Sequence, residues 1–262
     1  VSTEPILKSR RDDLAFVTFN RPDKFNALNF EMLRMLPAII REVAREPGVR
    51  VVVLRGAGEK AFSAGGDLTE FKRYTESREK AEHWHEVLLG AIESVYNLEV
   101  PTIAMVHGPA IGAGCEIAMA CDIRVAADDA RFGITGSRLG FPIPYRNAVR
   151  LVSLIGPANA KEMLYTGRLL PADEACRIGL IRFLVPKAEL ESRTMALAEE
   201  IAGNAPLAQR AIKRTVNQVV QDPGLAEVNA RTRWFVDAFL SRDLQEGVSA
   251  FLEKRPPNFQ GR

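Results

Sequence analysis

The sequence predicts an α/β fold followed by a helical C-terminal extension, and three observations carry that prediction. Short apolar runs alternate with segments of helical period up to about residue 188. Two glycine-rich turns, about fifty residues apart, each follow such a run. From about Glu189 onward the strand signals disappear.

Taken in order, residues 5–9 and Leu14–Phe19 read as two strands paired across the polar turn Arg10-Arg11-Asp12-Asp13. Arg21-Pro22-Asp23-Lys24 is a loop. Met32, Leu33, Leu36, Ile39, Ile40 and Val43 then keep helical spacing, with Asn29 as N-cap and Pro47-Gly48 as the stop. Val51-Val52-Val53-Leu54 reads as a buried strand. The first glycine turn, residues 62–68, leads into a charged helical stretch of about 68–97. Thr102–Val106 is the next strand, and the second glycine turn, residues 108–116, opens directly into a helix. Ile123–Ala127 is another strand, and residues 145–155, 158–165 and 171–178 read as helices. The tail is predicted as helices at 189–203, 206–221, 224–241 and 243–253. An all-helical tail on an α/β core commonly packs against a partner subunit, so we divide the chain into a core, residues 1–200, and an oligomerisation region, residues 201–262.

Composition narrows the function. The 262 residues carry 35 basic and 33 acidic side chains, a net charge of +2 with the basic residues dispersed, which argues against nucleic-acid or membrane-surface partners. No apolar stretch reaches membrane-spanning length, and Val1-Ser2-Thr3-Glu4-Pro5 does not resemble a secretory signal, so a soluble cytoplasmic protein is expected. The three cysteines, Cys115, Cys121 and Cys176, form no Cys-x-x-Cys pair and read as reduced. His83 and His85 lie two apart on a helix and face different ways, His107 follows a buried strand, and no metal-ligand set is visible. Gly112-Ala113-Gly114-Cys115-Glu116-Ile117 lacks the third glycine of a dinucleotide fingerprint, and there is neither a phosphate-cradling loop nor a Gly-x-Ser-x-Gly.

The glycine turns suggest chemistry instead. Stripped of side chains, they can aim two backbone N–H groups at one oxygen, which is how an oxyanion hole is made, and the second adds the positive end of a helix dipole. Glu116 stands beside it among Gly, Ala, Cys, Ile and Met, where burying a carboxylate is costly unless it is paired or does chemistry. Asp122 reads as a structural partner for a turn or an arginine.

These segments resemble the crotonase (enoyl-CoA hydratase/isomerase) family nearly end to end. The match runs through Asn20-Arg21-Pro22-Asp23-Lys24-Phe25-Asn26-Ala27-Leu28, residues 62–68, residues 108–122, Ala130-Arg131-Phe132-Gly133, Gly156-Pro157-Ala158, Ala172-Asp173-Glu174-Ala175, Gly179-Leu180 and residues 250–259. The resemblance implies a crotonase-like spiral of repeated ββα units with a helical C-terminal trimerisation region, as a homotrimer or a hexamer built from two trimers. It implies that the amides of Gly66 and Ala113 hold the thioester carbonyl of an acyl-CoA. Lys24, Phe25 and Ala27 match the CoA-contacting loop, Ala64, Gly65 and Leu68 the pantetheine path, and Phe251 and Lys254 tail positions that reach the nucleotide end, often on a neighbouring subunit. No separate cofactor is implied, because CoA is part of the substrate.

Glu116 matches the first of two carboxylates used by the well-known hydratases. Gly136 stands in the place of the second, and Phe141-Pro142-Ile143-Pro144-Tyr145-Arg146-Asn147 replaces the glycine-rich turn that follows. The acyl pocket is therefore expected around Gly136, Arg138, Phe141, Tyr145 and His85, with Tyr145, Arg138 and His85 as candidate substitutes for the missing carboxylate. One glutamate can take a proton from water and return it at Cα, so the expected activity is 2-enoyl-CoA hydration. An enoyl-CoA isomerase, an acyl-CoA decarboxylase or thioesterase, and a non-catalytic acyl-CoA-binding protein are the alternatives.

Overall fold

The computed structural model describes residues 4–140, 142–221, 236–237 and 239–262. The expected hairpin is present, β1 (Ile6–Arg11) pairing antiparallel with β2 (Leu14–Phe19). Helix α1 (Phe30–Arg45) starts at Asn29, whose side chain accepts a hydrogen bond from the Met32 amide, and buries the six apolar positions that its spacing singled out. Strand β3 (Val51–Gly56) follows. The charged stretch after the first glycine turn forms two helices, α2 (Leu68–Tyr74) and α3 (Arg78–Tyr96), because Ser77 caps a new start by accepting from the Lys80 amide.

Next come β4 (Thr102–Val106), β5 (Pro109–Ile111), α4 (Ala113–Ala120), β6 (Ile123–Ala127), β7 (Arg131–Gly133) and the short helix α5 (Gly136–Leu139). Helix α6 (Tyr145–Thr166) is broken at Gly156, at φ 74° and ψ 163°, which is where the sequence places a boundary between two helices. Strand β8 (Leu170–Pro171), α7 (Ala172–Arg177) and β9 (Phe183–Val185) complete the core. The tail holds α8 (Leu190–Ala202), α9 (Pro206–Gln221) and α10 (Arg242–Glu253). Most of the helix expected at 224–241 lies outside the described residues.

Two sheets organise the chain. The larger runs β1-β2-β3-β4-β6-β9 and is parallel apart from the hairpin; the smaller runs β5-β7-β8. Each turn of the chain adds a strand to the large sheet, a short segment to the small one, and then helix. β4, β5 and α4 form one such turn, and β6, β7 and the helices after them form the next. In the two preceding turns the second strand shrinks to a bridge, Ser63 with Ala110 and Leu28 with Gly66. This is a ββα spiral. The short strands β5, β7, β8 and β9 escape sequence reading because two or three residues carry no period.

The large sheet is buried on both faces. Val17, Phe19, Val52, Leu54, Ala104 and Val106 pack with α1, α3 and α4 on one side, whereas Leu14, Phe16, Val51, Val53, Ile103 and Val125 pack with α8 on the other. That explains why its strands read as unbroken apolar runs. Among the described residues no helix is long and apolar enough to cross a membrane.

Candidate active site

The loop before α1 is shaped by Phe25 and Asn26, both at positive φ, 50° and 54°. Asn tolerates this conformation better than most residues. The fully buried Asn26 side chain accepts from the Arg21 amide at 2.9 Å and donates to the Ala57 and Ala61 carbonyls at 3.0 and 2.7 Å. The Phe25 ring is thereby left half-exposed on the rim, 5.8 Å from the Lys60 ammonium, with Lys24 exposed beside it. Arg21 then latches this loop to the first glycine turn through Asp67 at 3.0 Å. Asp67 also caps α2, and its bonds from Thr69 and Arg21 hold its pKa below the usual carboxylate value.

The two glycine turns touch backbone to backbone. A Cβ on Gly65, at φ +94°, would stand 2.5 Å from the Ile111 carbonyl oxygen and 3.6 Å from the Ala113 nitrogen, so glycine is required there on both conformational and steric grounds. In the Leu28–Gly66 bridge, Leu28 donates to the Gly65 carbonyl at 2.7 Å and accepts from the Asp67 amide at 2.9 Å. The N–H of Gly66 itself therefore points the other way. Ala113 is the first residue of α4, where an amide has no partner within the helix. No described group accepts a hydrogen bond from either amide.

Both turns border a cavity of about 70 Å³ whose walls include Ala64, Leu68, Phe71, Trp84, Leu88, Ile134, Gly136, Leu139 and Ile143. Glu116 is the single ionisable side chain among the described residues lining it. It sits one turn into α4 and is 5% exposed. Burial pushes its pKa up to about 7, against the pull of the Asn147 side-chain amide and the Arg150 charge. A buried carboxylate with its pKa lifted to about 7, in a cavity that two amides without a described acceptor also border, can move a proton at an acyl group while the amides hold its oxygen.

A family profile described as enoyl-CoA hydratase/isomerase matches residues 9–262. The chain belongs to this family. It is 36% identical over 252 residues to the short-chain-enoyl-CoA hydratase of Clostridium acetobutylicum, covering 95% of each chain. It is 35% identical over 258 residues to the crotonyl-CoA hydratase of Syntrophomonas wolfei, covering 98% of each. The crystal structure of an enoyl-CoA hydratase/isomerase family protein from Hyphomonas neptunium superposes with a TM-score of 0.94 at 34% identity, over 99% of both chains.

Within this enoyl-CoA hydratase/isomerase family member, the residues expected at the acyl end separate. Gly136 lines the cavity, but Tyr145 does not; it begins α6 82% exposed. Arg138 is turned away, its Nε donating to the Thr166 carbonyl at 3.1 Å. His85 lies on the exposed side of α3, because the residues that face the cavity from that helix are Trp84 and Leu88, four apart. Phe141 lies outside the described residues. Phe251 and Lys254 are exposed on and just after α10 and do not line the cavity of their own chain. Ala27 is half-buried on the loop before α1.

Sequence reading missed the apolar wall of Phe71, Trp84, Leu88, Ile134 and Ile143, and it missed the polar support behind Glu116. The available signal was Asn147 and Arg150, polar residues three apart on the buried face of a predicted helix. Asp122 is structural as expected, accepting from Thr102 and pairing with Lys213 of α9 at 2.8 Å. His107 is buried, which lowers its pKa, while its carbonyl accepts from the Phe62 amide. The Cys115 and Cys121 thiols are pushed up to about 12 by burial and are inert.

Proposed function

We propose that this chain hydrates a 2-enoyl-CoA thioester, with Glu116 as its acid–base group and the Gly66 and Ala113 amides as the oxyanion hole. The observation that carries this reading is the buried Glu116 carboxylate, the one ionisable side chain among the described residues lining the cavity, beside two amides for which no described group is an acceptor. The thioester carbonyl accepts from both amides. Glu116 takes a proton from a water as the oxygen adds to Cβ, and the negative charge moves to the thioester oxygen, where the amides stabilise the enolate. Glu116 then returns the proton to Cα on the same face. Such general acid–base assistance contributes typically about 10²–10⁴-fold.

The CoA portion enters over the rim of Lys24, Phe25, Ala27, Ala64 and Leu68. Phe251 and Lys254 reach its nucleotide end from a neighbouring subunit of a trimer or of a hexamer of two trimers. The small cavity supports a short acyl chain, in keeping with the short-chain specificity in one relative's name.

The test is mass spectrometry of saturated, enoyl, hydroxyacyl and carboxyacyl-CoA esters incubated in deuterated water with wild type and E116Q. Water gain by short enoyl esters, lost in E116Q with ester binding retained, is the expected outcome. Deuterium uptake without water gain would make the enzyme an isomerase, and release of carbon dioxide or free CoA a decarboxylase or thioesterase. Binding of every ester without turnover would leave an acyl-CoA-binding protein.

A further inference from the structure

Next to Glu116, and outside the cavity wall, lies a chain of polar groups that the proposed reaction does not use. Asn147 on α6 is fully buried. Its Oδ1 accepts from Arg150 Nη1 at 2.9 Å, which fixes the amide's orientation. The amide nitrogen completes no hydrogen bond among the described residues, although it stands near enough to the Glu116 carboxylate to draw its pKa down. Arg150 is itself 5% exposed and held on two further sides. Its Nη2 donates to Glu93 of α3, and its guanidinium lies over the Tyr96 ring at 4.0 Å. A buried amide donor left unsatisfied is costly, so its position needs a reason.

We propose that Asn147 is a positioning residue for Glu116: its side-chain amide, locked by the Arg150–Glu93 clamp, donates to one carboxylate oxygen and leaves the other free to face the reacting water. This inference rests on Glu116 being the acid–base group. It explains how one carboxylate can serve both proton transfers, since a glutamate held at one oxygen presents its other oxygen to Cβ-bound water and to Cα in turn. Gly136 offers no side chain that could share the task.

The direction of the effect follows from the donor. An amide that donates to the ionised carboxylate favours ionisation, as does the Arg150 charge, and both oppose burial. The other groups around this position are the Cys115 thiol on α4, Glu93 and the Tyr96 hydroxyl on α3, and Arg146 on α6, which pairs with Glu93 at 3.2 Å. Glu93 is paired with both Arg146 and Arg150. Removing the Asn147 donor therefore raises the pH at which Glu116 becomes a base.

The experiment is the pH dependence of kcat/KM for crotonyl-CoA hydration in wild type, N147A, N147D and E116Q, with thermal melts as a check of folding. N147D keeps the shape of the residue and its bond from Arg150 but presents an oxygen to Glu116 where the donor was. Both Asn147 variants are expected to move the acid limb upward, N147A by about one pH unit and N147D by more, so that activity falls about tenfold or more below the limb and recovers at high pH. An acid limb in N147D unchanged from wild type would overturn the proposal. So would a loss in both variants that is uniform across pH, which a merely structural role produces. Should N147A not fold, the isosteric N147D decides the matter. If instead wild type and E116Q hydrate the ester equally, the assignment of Glu116 fails, whatever the Asn147 variants do.

Discussion

Glu116 occupies the first turn of α4, where the helix dipole favours a negative charge, yet burial outweighs that effect and raises its pKa to about 7. Between its unfolded value of 4.5 and this folded value, the native state holds a proton that the unfolded chain has released. Stability is therefore lost as pH rises through that window and stays level above it, with a full cost of about 3 kcal/mol. E116Q, which cannot ionise, is expected to gain on wild type by about that amount between about pH 4.5 and about pH 8 in chemical denaturation. A difference that does not vary with pH would mean that the carboxylate ionises in the fold at no cost. Such a destabilisation is in keeping with the proton-transfer role proposed for Glu116. The residue was legible in the sequence because a lone carboxylate in a small, apolar setting is conspicuous. Asn147 was not, because a polar residue on a predicted helix is equally well a solvated one until its neighbours in space are known.

At the scale of elements, the site depends on where α4 begins and ends. Its start is set by Gly112, whose amide donates to the Gly133 carbonyl of β7 at 2.8 Å, and by the contact of Gly114 with Ser63. A Cβ on Gly114 would stand 2.7 Å from that of Ser63, so only glycine lets the helix approach the first turn. Its end is held by Arg124 of β6, 5% exposed, which donates to the Cys121 carbonyl at 2.6 Å and the Leu180 carbonyl at 2.7 Å. R124M fills similar space but leaves both carbonyls without that donor, and is expected to lower the unfolding free energy in urea by about 3 kcal/mol. A change within about 0.5 kcal/mol would show that water satisfies them instead. Elements with period and caps, such as α1 with Asn29, were readable from the chain. The helical segment after the first glycine turn was read as continuous because its Ser77 cap lies within an otherwise charged, helix-favouring run.

For the whole molecule, the tail is tied to the core by polar contacts and presents apolar surface outward. Lys213 of α9, buried, reaches the Val100 carbonyl and Asp122, and Arg50 of the core donates to the Phe259 carbonyl. Outward, α9 exposes Ile212, Val216 and Val219, and α10 exposes Val248, Phe251 and Leu252. Exposed apolar surface of this kind is what the oligomer proposed above would bury. If α10 carries a contact of the proposed trimer or hexamer, V248E combined with L252E lowers the mass measured by light scattering while leaving the far-UV circular dichroism intact. An unchanged mass would remove α10 from the interface.

The sequence by itself determined the longer elements and their kind, the two glycine turns and the setting of Glu116, because period, caps and the absence of side chains are local properties of the chain. Only the tertiary structure decided what stands around that carboxylate. It turned Trp84 rather than His85 to the cavity, sent Arg138 to the Thr166 carbonyl, left Tyr145 exposed, and brought Glu93, Arg150 and Asn147 together behind Glu116. Those outcomes depend on the rotation of each helix about its axis and on pairings across more than fifty residues, such as Glu93 with Arg150. Packing of the whole core sets both, and no short stretch of sequence encodes either.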